Sequence, residues 1–318
     1  MFGIKNRKAA IFIIILFILL AGVFVFRNIC KERIGREIAQ YKQEVNEQGI
    51  AADLSENPYF MAKQIGYDYR RPETITYPSG ITGTDRHAMV FLPADYTQQK
   101  QYPVLYLLHG LNGSHRTWRN KSADIILQNL YYFQDVPEMV VVCPNSAVNQ
   151  AEDTHDLELE DTVKAYDLTA KEVVENLMPY INSHYSVKTE REYTAVAGNS
   201  MGGRNALYAA FTYPQLFGYV GAFSSAHVLE DGTEGSILPP LLQDLTLPDD
   251  VEGFKLLMLC VGRSDEVCGS VTYQLHDYME EKGLEHIFYD VEGGHQNTVW
   301  QNALYNFARM IFVDLKSG

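Results

Sequence analysis

Gly198-Asn199-Ser200-Met201-Gly202 is the stretch of this 318-residue chain with the clearest chemical content, because it sets a hydroxyl between two glycines. An apolar, β-prone run, Thr194–Ala197, leads into it, and a helix-favouring segment, Asn205–Phe211, follows. A strand, a sharp turn and a helix around such a G-x-S-x-G pattern expose the serine Oγ above a sheet. They also aim the first N–H groups of the helix at the same point. The glycines are needed because the turn is strained and a Cβ at either place would strike the neighbouring strand or helix. Ser200 is therefore expected to be a nucleophile, with the Met201 N–H stabilising the oxyanion it generates.

A serine hydroxyl needs a base, and the base needs a carboxylate to fix its tautomer. In sheets of parallel strands such groups sit just beyond the carboxyl ends of the strands. Of nine histidines, only His295 follows the last expected strand, in Glu292-Gly293-Gly294-His295. His109, ahead of Gly110 at a strand end, reads as structural, and His155 lies in an acidic loop. Asp265 comes three residues after the expected strand Phe254–Gly262 and is assigned as the partner of His295. Its neighbour Glu266 is the main rival, and Asp290, inside a strand, is a poorer one. The resulting chain order is Ser, Asp, His. A second oxyanion donor is expected at the Leu111 N–H, since Gly110 lets that loop approach closely.

These residues need a scaffold, and the apolar pattern supplies one. Thr74–Tyr77 and His87–Leu92 read as an antiparallel pair. Buried strands are expected within Gln101–Gly110, Glu138–Pro144, Phe217–Ser224, Phe254–Gly262 and His286–Val291, alternating with helices at Ser122–Tyr131, Leu168–Tyr185, Val271–Lys282 and Val299–Leu315. Strands alternating with helices indicate a mainly parallel central sheet covered on both faces. Asn145–Thr162 reads as an acidic surface loop and Glu230–Gly253 as a cap or lid.

Composition narrows the partners. Residues 1–33 carry six Lys/Arg against the single Glu32, so the net charge of −14 leaves about −19 for the rest. Such acidity argues against nucleic acid and against a polyanionic substrate. No Cys-x-x-Cys or Cys/His ligand spacing appears, so no metal is expected, and the chemistry needs no cofactor. Of the four cysteines, Cys143 and Cys260 read as core residues; Cys260 and Cys268 could pair, though nothing requires it.

Ala9–Phe26 is an 18-residue apolar run preceded by Lys5, Arg7 and Lys8. As a helix it would be roughly 27 Å long, near the hydrocarbon thickness of a bilayer. The run is longer than a usual signal-peptide core, and no small-x-small cleavage site follows it. The expectation is an uncleaved membrane anchor with the catalytic part exported. Secretion after cleavage is the alternative. The expected division is a basic tail and anchor at 1–33, a charged stalk at 34–58 and one globular domain at 59–318.

Leu107-Leu108-His109-Gly110-Leu111-Asn112-Gly113, Gly198-Asn199-Ser200-Met201-Gly202-Gly203, Gly262-Arg263-Ser264-Asp265 and Gly293-Gly294-His295 resemble the esterase D/putative esterase family of α/β-hydrolases. Feruloyl esterases, S-formylglutathione hydrolases and mycolyltransferases belong to it, and the likeness extends over about residues 75–313, nearest to the feruloyl/acetyl-xylan branch. The resemblance implies an α/β-hydrolase fold and a Ser200–Asp265–His295 triad with Leu111 and Met201 as oxyanion hole. It also implies a carboxylic ester substrate, such as a feruloyl or acetyl ester of extracellular carbohydrate. No aromatic clamp for a feruloyl group is evident; Trp118 and Trp300 could line the acyl site, with Asn199 beside it. Two other classes share the scaffold. A surface acyltransferase would hand the acyl group to a sugar hydroxyl, and a non-catalytic binding module would use the site only to hold a ligand.

Overall fold

The computed structural model describes residues 2–57, 59–228, 236–238, 247–248 and 250–314. The chain begins with α1 (Phe2–Gln40), followed by β1 (Glu73–Pro78), β2 (Asp85–Phe91) and β3 (Val104–Leu108). Two helices, α2 (Thr117–Asn120) and α3 (Ala123–Phe133), precede β4 (Val140–Pro144). Then come α4 (Leu159–Asp167), α5 (Thr169–Glu172), a π-helical turn at Val173–Leu177 and α6 (Met178–His184). The second half contains β5 (Thr194–Asn199), α7 (Met201–Thr212), β6 (Tyr219–Phe223), β7 (Leu256–Gly262), α8 (Gly269–Glu281), β8 (Ile287–Val291) and α9 (Asn297–Met310).

The eight strands form one sheet in the order β1-β2-β4-β3-β5-β6-β7-β8. The pairs β1/β2 and β2/β4 are antiparallel, and every later pair is parallel. The period of two decides which helices cover which face. Leu105, Leu107, Ala195 and Ala197 face the side packed by α3 and α9. Tyr106, Leu108, Val196 and Val220 face the side packed by α7, α8 and the turns around Leu177 and Ile181. Registers such as Leu108↔Gly198, Asn199↔Phe223, Phe223↔Cys260 and Gly262↔Val291 align the carboxyl ends of neighbouring strands, where the site lies. This is the doubly covered, mainly parallel sheet that the apolar pattern predicts.

Three sequence expectations need correction. The acidic stretch before Thr162 is not loop throughout, because Val163 and Tyr166 give α4 an apolar side that packs inward. The segment 34–58 is not a free stalk: α1 continues to Gln40, and residues 41–57 then leave helical geometry. Ile50, Ala51 and Leu54 are buried in the core beside α9. The segment's polar residues hid this docking, because they satisfy backbone groups there instead of facing water. Asn46 Oδ1 accepts the N–H groups of Gln48 and Ile50. Asn306, on α9, accepts from the Ala51 N–H at 2.8 Å and donates to the Ala51 carbonyl at 3.0 Å. The hydrolase body thus begins ahead of the expected boundary at 59. The expected cap at 230–253 falls largely outside the described residues.

Among the described residues, one helix is long and apolar enough to cross a membrane: Ile11–Ile38 of α1, whose apolar window has mean hydropathy 2.6 and no burial against the rest of the chain. In its second half α1 touches the body, with Arg27 paired to Asp68 at 2.8 Å and Lys31 over the Tyr67 ring.

Replacing Asn306 strands the Ala51 N–H in a dry interior, although the Ala51 carbonyl keeps its bond from Asn302. Asn306→Ala is therefore expected to lower the unfolding free energy by about 2–3 kcal/mol. Urea unfolding measures this, and an unchanged midpoint would mean that the segment behaves as a solvated stalk after all.

Candidate active site

The turn between β5 and α7 is made in a single residue. Ser200 has φ 56° and ψ −123°, outside the ordinary regions for a residue with a side chain. A Cβ on Gly198 would lie 2.5 Å from the Gly202 carbonyl carbon, and one on Gly202 would lie 2.4 Å from the Leu108 oxygen. Only glycine fits either place, so β3 and α7 can close around the serine. The Ser200 N–H donates to Phe223 O at 2.9 Å, fastening the turn to β6. Its Oγ lies 3.0 Å from His295 Nε2.

His295 and Asp265 come from adjacent strand ends laced together by backbone. The Arg263 N–H donates to Val291 O and the Ser264 N–H to Gly293 O, while a Cβ on Gly262 would sit 2.4 Å from the Gly293 oxygen. His295 Nδ1 is 2.9 Å from Asp265 Oδ2, and Asp265 Oδ1 accepts the N–H groups of Val267 and Cys268. Burial alone would raise the Asp265 pKa, but the Cys268 N–H and then His295 outweigh it and hold the carboxyl below its ordinary value. An ionised Asp265 accepts the Nδ1–H and leaves the Nε2 lone pair of a neutral imidazole facing Ser200. Trp300 sets its ring edge-on to His295, centroids 5.0 Å apart.

The rivals point elsewhere. Glu266 is exposed, and Asp290 is engaged by Arg263 and Tyr273. His109 is buried, donates from Nδ1 to Gly110 O and accepts at Nε2 from the Ser146 N–H. Burial pushes its pKa down to about 4, which keeps it neutral. Cys260 and Cys268 are both free thiols.

The remaining residues divide. Leu111 is exposed in the loop after β3, and Gly110 brings that loop against Ser200, where a Cβ would lie 3.0 Å from the serine's own Cβ. Met201 opens α7, its side chain packed against Ala147 and Tyr166. Trp118 does not reach an open surface: it is buried, donates its indole N–H to Leu108 O and packs edge-on to Phe223. Asn199 is buried too, its Oδ1 occupied by Lys121 Nζ at 3.2 Å. Of the three residues expected to contact substrate, Trp300 sets its ring against His295, and Asn199 precedes Ser200 with its side chain turned to Lys121.

Lys121 is the residue that sequence reading passed over. Its ammonium is buried over the Trp118 ring at 5.0 Å and the Trp300 ring at 4.3 Å. No carboxylate forms an ion pair with it among the described residues. A lysine followed by Ser-Ala-Asp at a helix start carries no local sign of this burial. Its physical mark is its charge.

Burial lowers the Lys121 pKa from 10.5 to about 8. Between those values the unfolded chain holds a proton at Lys121 that the folded chain has lost, so the contribution of Lys121 to stability rises with pH across that window. At neutral pH the buried charge costs on the order of 2–3 kcal/mol. Lys121→Met is expected to stabilise the protein at pH 7 by roughly 2 kcal/mol, less the hydrogen bond lost at Asn199. That advantage is expected to vanish as the pH rises from about 8 to 10.5. Denaturant unfolding of both proteins over this range tests it, and parallel pH profiles would contradict it.

Comparison with known proteins places this geometry in a lineage. Residues 79–245 match the family model described as putative esterase. A ferulic acid esterase of Anaeromyces mucronatus, solved in complex with ferulic acid, is 30% identical; the match covers 87% of this chain and 99% of that one with a TM-score of 0.71. An endo-1,4-beta-xylanase/feruloyl esterase of Xylanibacter ruminicola is 28% identical over 188 residues, 56% of this chain. The chain spans 24% of that relative's length, and 60% of the length of an uncharacterized Bacillus subtilis protein to which it is 22% identical. S-formylglutathione hydrolase of Staphylococcus aureus, at 19% identity and TM-score 0.58 over 75% of this chain and 97% of that one, shares the fold. With its eight-stranded sheet and its strand–serine–helix turn, the chain belongs to the putative esterase family, a feruloyl esterase-like group of carboxylic ester hydrolases with the α/β-hydrolase fold.

Proposed function

We propose that this chain is a serine esterase working through Ser200, His295 and Asp265, and that it removes feruloyl or acetyl groups from carbohydrate outside the cell. The reading rests above all on the hydrogen-bonded row from Ser200 Oγ to His295 Nε2, 3.0 Å, and from His295 Nδ1 to Asp265 Oδ2, 2.9 Å. His295 takes the hydroxyl proton as Ser200 Oγ attacks the ester carbonyl. Asp265 steadies the imidazolium that forms. The oxyanion is held by the N–H groups of Leu111 and Met201, the second aided by the positive end of α7. His295 then returns its proton to the leaving alcohol. A water, deprotonated by the same nitrogen, frees the acyl group and restores Ser200.

The substrate class is carried by the relatives. Ferulic acid occupies the Anaeromyces mucronatus enzyme, and the Xylanibacter ruminicola protein is named for both xylanase and feruloyl esterase activity. The apolar helix Ile11–Ile38 supports the place of action. It would tether the esterase body to a membrane with the body outside. Cleavage after the helix would instead release it.

The test is turnover of p-nitrophenyl acetate, methyl ferulate and acetylated xylan by the full chain and by Ser200→Ala. Loss of at least about 10⁴-fold in kcat is expected in the variant, together with loss of labelling by a fluorophosphonate. The preferred ester among the three decides between feruloyl and acetyl chemistry. Wild-type rates in Ser200→Ala would remove Ser200 from the mechanism.

A further inference from the structure

Away from Ser200, three side chains with metal-binding atoms converge where α8 gives way to β8. We propose that His276 Nδ1, the Glu280 carboxylate and His286 Nε2 form a site for a divalent transition-metal cation of the zinc type. Their ligand atoms all lie within 4.8 Å of one another. His276 and Glu280 are one helical turn apart on the same side of α8. Gly283, at φ +67°, ends the helix, and the chain returns through Leu284 to bring His286 opposite.

The two imidazoles are already oriented for this. His286 Nδ1 donates to the Leu284 carbonyl at 2.7 Å, which leaves its Nε2 with the lone pair. Such an outer hydrogen bond is the usual way a ligating histidine has its tautomer fixed. The His276 ring lies flat on Phe288, centroids 4.1 Å apart and planes 10° from parallel. Its Nδ1 faces His286 Nε2 at 2.8 Å. In the metal-free state one proton bridges that gap, from His276 Nδ1–H to His286 Nε2. Two nitrogens bound tetrahedrally at 2.0–2.1 Å stand roughly 3.3 Å apart, so loading the site needs a small separation and a shift of the His276 proton from Nδ1 to Nε2.

Two nitrogens and one carboxylate suit zinc, cobalt or nickel better than calcium or magnesium, which prefer oxygen alone. A cavity of about 270 Å³ lined by Glu280, Gly283, Leu284, Glu285 and His286 has room for water in the fourth position. Cysteine-based spacing rules miss the site because its ligands are two histidines and a glutamate from both sides of a turn. The bound ion would clip α8, which follows Asp265, to the entry of β8, which precedes His295.

Calorimetric titration of the metal-free full chain with zinc chloride tests the proposal. One equivalent is expected to bind with micromolar or tighter affinity and to raise the thermal unfolding midpoint. Cobalt substituted for zinc is expected to give the visible absorption of a tetrahedral centre. His286→Gln should weaken zinc binding by about 100-fold and Glu280→Gln by about tenfold, while both variants retain esterase turnover as a sign of correct folding. Absence of binding at 100-fold molar excess of zinc over the folded chain would overturn the proposal. So would a stoichiometry and affinity that neither substitution changes.

Discussion

The carboxyl edge of this sheet exists because backbone meets backbone there with no Cβ between. Gly202 presses on Leu108, Gly198 on Gly202, and Gly262 on Gly293, each so closely that one added carbon would stand 2.4–2.5 Å from its neighbour. The first two contacts let β5 become α7 across one residue. The third lets the loop carrying His295 lie on the loop carrying Asp265. Ser200 takes up the strain, at a cost on the order of 1–3 kcal/mol. It is held from both sides: its N–H donates to Phe223, and its carbonyl accepts from Arg204 and Ala226. A hydroxyl fixed by its own backbone loses little freedom when it meets a substrate, which is where positioning lowers a barrier.

Two buried guanidiniums extend the same rigidity outward. Arg204, one turn along α7 from Ser200, reaches Asp167 at 2.8 Å, Ser236 at 2.7 Å and the His227 carbonyl. Asp167 in turn accepts the Ile237 N–H, so the chain that returns after β6 is fastened to α4 and α7. Arg86, on β2, donates to the carbonyls of Asn145, Ala147 and Asn149 and lies 3.4 Å from Glu172. Buried ion pairs add little net stability, because desolvation offsets their attraction. Their effect here is positional, for each holds a segment that lies beyond a strand end.

What was legible in the sequence follows from where the physical constraint is local. The G-x-S-x-G turn could be read because sterics and chemistry act on the same five residues. Asp265 and His295 could be read because parallel strands deliver their following loops to one edge, so strand order alone predicts who meets whom. The docking of Ile50 and Ala51 could not be read, since polar neighbours mimic a solvated stalk unless α9, some 250 residues later, is known to supply Asn302 and Asn306. Trp118 and Asn199 illustrate the same limit. Trp118 lies beyond the loop after β3 and Asn199 directly precedes Ser200, and only packing reveals that their polar atoms are taken by Leu108 and Lys121.

Lys121 separates stability from chemistry most clearly. An unpaired buried ammonium works against folding at neutral pH, so packing alone gives no reason for its presence. Its contacts do: through Asn199 it touches the neighbour of Ser200, and through Trp300 it touches the ring that abuts His295. The hydrogen bond to Asn199 has no intermediary. Lys121 thus contacts one residue on the Ser200 side of the Ser200–His295 pair and one on the His295 side. Stability given up in this way is what a site needs when its geometry, more than its fold, must be kept.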